Sequence, residues 1–437
     1  MLSHSHSGFR TFSAAATTAV RCLLLAGAVL LSSSSRVFAA DKDTAAGWSR
    51  WRGPEGTGHT SETGLPLKWD ASAVTWQTDL PGLGHSSPVV HGRQVYLTSA
   101  DEGGRKRLVL AVDRRTGEII WQEVAWTGEP ESSHKMNGFA TPTCCADGER
   151  VYAWFGSGGG LFCYSVTGGL LWSRDLGQQN NRWGAASSPV LVDDLVIQLC
   201  DADSDAFIVA LNRRTGKEVW RTTRDNFRGW STPILFDAAG RTELIVNGHS
   251  GVRSYDPATG KEYWFCRSFR GRGTPTVTPG PSLLHVVNGT PSDMYAIRPG
   301  GSGDITDSHM SWHVPRRGGR DLPSPLVIDN LLLIVSMQGV LTCTEPESGK
   351  ELWKARLGGN FSASPVAYGG RALFTNEAGV TTVIQPDAKK LIVERKNSLP
   401  AADDEIFRAG LAPSEGQILI RSDQKLYAIG SWQVPQY

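Results

Sequence analysis

The chain contains no CxxC pair, no GxSxG elbow, no HExxH and no P-loop. These gaps leave a structural zinc site, an α/β-hydrolase nucleophile, a zinc-protease centre and a Walker-type nucleotide site without sequence support. Charge of one sign is also missing. Lys and Arg number 44 against 43 Asp and Glu, so no global field favours nucleic acid or an anionic membrane as partner. No stretch keeps a helical period, and no apolar run is long enough to span a bilayer. The run Cys22–Leu31 comes nearest, and its setting explains it. Arg10 and Arg21 precede it, the small residues of Val37-Phe38-Ala39-Ala40 follow, and no acidic residue occurs before Asp41. That order of basic, apolar and small residues predicts a secretory signal peptide over 1–40, hence an exported protein, periplasmic or extracellular. Six cysteines follow residue 40, and an oxidising compartment would permit disulfides that a core of this size does not require.

What the chain does have is a repeat. A proline at the start of an apolar run, usually after Ser or Thr, recurs at Pro88, Pro142, Pro189, Pro233, Pro275, Pro325, Pro365 and Pro413. Between these prolines runs a second signature, seen as DRRTGEIIW (113–121), NRRTGKEVW (212–220), DPATGKEYW (256–264) and EPESGKELW (345–353). Within each unit four short runs rich in β-branched and aromatic residues are separated by Gly, Asp and Asn turns, so each unit reads as four strands. A unit of this length cannot bury its apolar face alone and must stack on its neighbours.

Aligned columns carry physical meaning. A small residue recurs at Ala111, Cys163, Ala210, Ser254, Ala296, Cys343, Val383 and Ala428, which suggests a crowded depth where sheets approach closely. The Thr-Gly pair supplies a tight turn into the last strand. A large aromatic then follows at Trp121, Trp172, Trp220, Trp264, Trp312 and Trp353, with Val393 in its place in the seventh unit. Such a column reads as a packing wedge between adjacent sheets. Cys144 falls, on the proline alignment, in the apolar column of Val90 and Leu191, where a thiol acts as a small hydrophobe. The eighth unit lacks its last strand, while VTWQTDL (74–80) near the N-terminus belongs to no unit of its own. The two pieces together complete one blade. The expected fold is all-β: an eight-bladed propeller over 73–437 behind a leader at 41–72.

The columns of WD and kelch repeats are absent. The AxDxxTGxxxW pattern resembles the pyrroloquinoline-quinone (PQQ) type repeat of quinoprotein dehydrogenases, and is similar to the propeller lipoprotein of outer-membrane protein assembly. The segment WSRWRGPEGTGHTSETGLPLKW (48–69) resembles the lead-in of secreted bacterial PQQ-like propellers. The resemblance covers about 73–430. It implies fold more than function, since this propeller class hosts enzymes and scaffolds alike. In quinoprotein alcohol dehydrogenases it implies a disulfide between adjacent cysteines against the cofactor, which draws notice to Cys144 and Cys145.

In a four-stranded blade, the links from one blade's last strand to the next blade's first share one face, the usual home of function. Four consecutive links hold Arg221, Arg224, Arg228, Arg267, Arg270, Arg272, Arg316, Arg317, Arg320, Lys354 and Arg356, against Asp225 and Asp321. Trp183, Trp230, His85 and Asn137 reach the same rim. The candidate ligand-binding set is therefore Arg224, Arg228, Arg270, Arg272, Arg320, Trp183, Trp230, His85 and Asn137, facing a small anionic ligand or an acidic protein partner. The other reading pairs these arginines with Asp201, Asp203, Asp205 and Asp293 of neighbouring hairpins. The expected function is a non-catalytic binding or scaffold module with no metal and no assured cofactor. The alternative is a PQQ-dependent alcohol dehydrogenase, which would need PQQ, calcium and an Asp base. The run Asp201-Ala-Asp-Ser-Asp205 lacks the Gly and distant Glu of a calcium loop.

Overall fold

A computed structural model of the chain describes residues 47–267, 272–288, 293–316 and 322–433; residues 1–40, expected to be a signal peptide, lie outside them. The described residues form eight sheets of four antiparallel strands arranged as the blades of a β-propeller, and in the fourth Gly303–Asp304 adds a short parallel edge. The first blade runs outward through Val89–His91, Gln94–Ala100, Lys106–Asp113 and Ile119–Thr127. Its inner strands are buried almost without interruption, because neighbouring blades cover both faces. Outermost strands alternate: Val74–Asp79 reads half-buried and exposed in turn. No described helix is long and apolar enough to cross a membrane.

The ring closes as the unpaired N-terminal strand requires. Val74–Asp79 pairs with Lys425–Ile429, placing Trp76 opposite Ala428 and Gln77 opposite Tyr427. Around this seam gathers a core that includes Trp48, Trp69, Leu97, Leu419 and Tyr427.

The Trp-Gly signature is one interlock between neighbouring blades. Trp76 donates its indole N–H to Arg114 O at 2.8 Å, in the turn of the next blade, and Trp220 does the same to Pro257 O at 3.0 Å. The turn glycine lies against that ring. At Gly117, where φ is +80°, a Cβ would come within 2.7 Å of Trp76. Gly thus meets two demands at once, a left-handed turn and contact with the previous blade's indole. The small-residue column has a direct cause as well: Ala111 pairs across the strand with Trp121, Ala210 with Trp220 and Cys343 with Trp353. A bulkier residue there would compete with the indole for the same space. The fifth blade lacks the turn. Trp264 instead donates to Glu243 Oε2 at 2.6 Å, and the buried Glu243 is held by Arg241 and Ser254.

Two column assignments are corrected by strand pairing. In the seventh blade Val383 pairs with Arg395, as Ala111 does with Trp121, so Arg395 and not Val393 replaces the tryptophan. In the second blade Cys145 pairs with Tyr152, as Val89 does with Tyr96, so Cys145 matches Val89 and Cys144 matches Pro88. Neighbours along a strand point to opposite faces. Cys144 accordingly packs with Val89, Tyr96 and Tyr164, and Cys145 with Tyr152 and Trp172. Both are free thiols, and burial pushes Cys144 up to about 12. They behave as core residues, with no disulfide between them.

The leader has a structural task. Trp48 O accepts Val90 N–H and Ser49 O accepts Ala146 N–H, both at 2.9 Å, on the innermost strands of the first two blades. Farther on, Arg52 Nη2 donates to Pro325 O at 2.7 Å, and Ala367 N–H donates to Gly58 O at 2.8 Å. The segment therefore crosses the axial channel to the sixth and seventh blades.

Candidate functional site

Where the first strands begin, the channel opens into a cavity of about 460 Å³, with Trp51 of the leader in its wall. Its frame is a belt of hydroxyls. Ser87 N–H donates to Thr143 Oγ1 at 2.9 Å, Thr143 N–H to Ser188 Oγ at 3.0 Å, and Ser188 N–H to Thr232 Oγ1 at 3.1 Å. The belt resumes with Thr276 to Ser324 and Ser324 to Ser364, both at 3.0 Å, and closes as Gly410 N–H donates to Ser87 Oγ at 2.9 Å. At six of the eight junctions a blade thus satisfies a buried N–H with the next blade's hydroxyl, which is the physical reason for the Ser/Thr column. The belt residue follows the proline in the second and fifth blades and precedes it in the others that carry a hydroxyl. Proline marks the strand start without fixing one position.

One wall is aromatic and cationic. Trp183 and Trp230 stack with centroids 5.6 Å apart and planes within 13°, and His134 packs on Trp183. The guanidinium of Arg272 sits 4.1 Å from the Trp183 ring centroid, a cation–π distance, and Arg228 sits at 4.8 Å. Asn137 Nδ2 donates to Trp183 O at 2.8 Å and so fixes the loop carrying the stack. Across the cavity stands Arg408, paired with Glu377 at 3.2 Å and touching His85 Nε2 at 3.3 Å. Burial first, then Arg408 and Arg421, pull His85 down to about 3, so it is neutral at physiological pH. Met136, Met337 and Leu322 supply apolar surface. Among the described residues no Asp or Glu lines the cavity, and none belongs to a cluster able to hold a metal ion.

His85, Asn137, Trp183, Trp230 and Arg272 therefore come together at one cavity. Arg228 stands behind Trp183, bound to Asp203 at 2.8 Å. Arg224 lies elsewhere. It is buried, its Nε 2.6 Å from Asp201 Oδ1 and its Nη1 2.6 Å from Tyr255 OH, so it ties the third blade to the fourth. Arg270 and Arg320 fall outside the described residues. Arg221 and Lys354 are spent on Glu218 and Glu351 of their own outer strands. Sequence reasoning missed Arg408, Trp51, His134 and Met136. The Ser/Thr column was the available signal for the belt; Arg408, amid mixed charges at 402–408, offered none.

Comparison with known proteins follows the fold. The sequence profile described as outer membrane protein assembly factor BamB matches residues 59–202, 204–324 and 302–429. A curated relative, the tetrathionate hydrolase of Acidithiobacillus ferrooxidans, is 23% identical over 287 residues, covering 61% of this chain and 53% of the relative. The chain thus spans about half the length of that relative. Among solved structures, BamB from Moraxella catarrhalis superposes with a TM-score of 0.56 at 15% identity, covering 83% of this chain and all of that one. A europium-containing methanol dehydrogenase superposes with a TM-score of 0.64 at 12% identity, covering 88% and 98%. These likenesses show a shared propeller fold, and the profile match, which runs through most of the chain, makes this protein a member of the BamB-type family of PQQ-like β-propellers.

Proposed function

We propose that this chain is an exported, non-catalytic propeller that binds a small anionic organic ligand in the axial cavity. The observation that carries this reading is the make-up of the wall: Arg272 and Arg408 on two sides, six belt hydroxyls between them, and no carboxylate among the described lining residues. A desolvated cavity with cations and hydroxyl donors favours an anion, and a carboxylate in its wall would oppose one. The Trp183–Trp230 stack and two methionines offer apolar surface to the rest of such a ligand. Export rests on the order of basic, apolar and small residues in 1–40. The relative named for tetrathionate acts on a small dianion, which is the same class of charge.

A calcium-held quinone fits the described residues poorly. Calcium takes six to eight oxygen ligands with carboxylates among them, and the cavity presents hydroxyls and one amide.

The test is calorimetric titration of the full chain with tetrathionate, with an aromatic dicarboxylate, and with PQQ plus calcium. Arg272→Ala and Arg408→Ala should each weaken binding of the preferred anion by about tenfold or more, the worth of a charge-assisted hydrogen bond. Equal binding of neutral analogues would overturn the anionic reading. Dye-linked alcohol oxidation with PQQ and calcium would overturn the non-catalytic one.

A further inference from the structure

The seam between the eighth blade and the first contains a buried cation that makes no ion pair among the described residues. Arg421 ends the strand Gln417–Arg421 and is fully buried. Its Nη1 donates to Ser86 O at 3.0 Å and to the Ser86 hydroxyl, both uncharged acceptors. Its Nε and Nη2 have no partner. Asp423 attracts it without forming an ion pair, and one oxygen of that carboxylate accepts Ile406 N–H at 3.0 Å. Burial brings Arg421 down only to about 9, so it stays charged at neutral pH.

A second unmatched donor lies on the same stretch of backbone. His85 Nε2 faces an N–H of Arg408 and must accept from it, which assigns the proton of the neutral ring to Nδ1. That Nδ1 is buried and has no acceptor. The Arg421 guanidinium runs along Gly84–Ser86, close enough that a Cβ on Gly84 would sit 2.3 Å from Nη2. The guanidinium edge lying along Gly84–Ser86 and the imidazole N–H of His85 within that segment are therefore all donors, with a full positive charge among them. Each unmatched donor forfeits the hydration it had in the unfolded chain, and an uncompensated buried charge costs more than a neutral one.

We infer that a monovalent inorganic anion of the halide class binds inside this seam, between Arg421 and His85. A single charge balances the one guanidinium. A small sphere without hydrogens accepts from several directions and adds no donor of its own. This site is separate from the ligand cavity, because Arg421 does not line the cavity and His85 Nδ1 is buried. The anion would also tie the sheet made of both chain ends to the first blade. Halide binding and ring closure would then be linked.

The experiment compares the unfolding temperature of the full chain in sodium chloride, sodium bromide and sodium gluconate at equal ionic strength. A rise of roughly 2 °C is expected in either halide at about ten times its dissociation constant. Arg421→Met should abolish the halide dependence, and Arg105→Gln, at the exposed ion pair with Glu129, should keep it. Should Arg421→Met fail to fold, wild-type crystals grown in bromide give a second reading: an anomalous peak in contact with Arg421 Nη2 and His85 Nδ1 supports the site. A wild-type transition indifferent to halide, or bromide density missing from the seam, overturns it.

Discussion

Replacing Arg224 by Met is expected to lower unfolding stability by about 3–5 kcal/mol, the typical cost of breaking a buried ion pair from one side. The side chain is nearly inaccessible, and its guanidinium binds both oxygens of Asp201, at 2.6 and 3.2 Å, as well as the Tyr255 hydroxyl. Burial alone would lower the arginine's affinity for its proton, but Asp201 and Tyr255 outweigh that and raise it. Without the guanidinium, Asp201 is left 7% exposed with its charge unmatched. The double variant Arg224→Met/Asp201→Leu removes both charges and should recover much of the loss, since apolar replacement of a whole buried pair is often neutral. Urea midpoints for the two single variants and the double variant measure this coupling. A single variant within about 0.5 kcal/mol of wild type would show that this pair contributes no more than an exposed one. Anion binding in the cavity should be unaffected by Arg224→Met if the fold survives, which separates this strut from Arg272.

The contrast between Arg224 and Arg272 shows where sequence reasoning stops. Both lie in links between blades, both are arginines, and the local composition treats them alike. Their fates are decided by residues far along the chain: Asp201 and Tyr255 for one, the ring of Trp183 for the other. Period and closure were legible because they are one-dimensional. A strand without a unit at 74–80 and a unit without a strand at the C-terminus needed only to be counted. The Trp wedge was legible too, because its column recurs. Its coupling to the Thr-Gly turn of the following blade was hidden, since each signal already had a sufficient local explanation. The misplacement of Cys144 has a similar origin. Proline fits either side of the belt residue, so an alignment on proline slips in the second blade, and a slip in register changes the face to which a side chain is assigned. The leader's path across the channel had no periodic signature at all. Only the bonds from Trp48, Ser49, Arg52 and Gly58 to distant innermost strands reveal it.

The interlock makes the second large prediction. Gly260→Ala should destabilise by about 2–5 kcal/mol, combining a left-handed backbone strain of about 1–2 kcal/mol with an overpacking cost of about 1–3. Here φ is +70°, and the added methyl would sit 2.3 Å from Cε3 and 2.6 Å from Cδ2 of Trp220. That indole is buried and anchored through its N–H to Pro257 O, so it cannot retreat without losing a hydrogen bond. Gly92→Ala isolates the backbone part, because φ there is +54° with nothing within 4 Å of the new methyl, and about 1 kcal/mol is expected. Placing Gly260→Ala in a Trp220→Ala background removes the clash with the ring and should bring its cost down toward that of Gly92→Ala, leaving the contact with Thr222 Oγ1, 2.8 Å from the added methyl. If Gly260→Ala costs the same in both backgrounds, the glycine serves its turn alone, and the pairing of each blade's tryptophan with the next blade's turn is not what holds neighbouring blades in register.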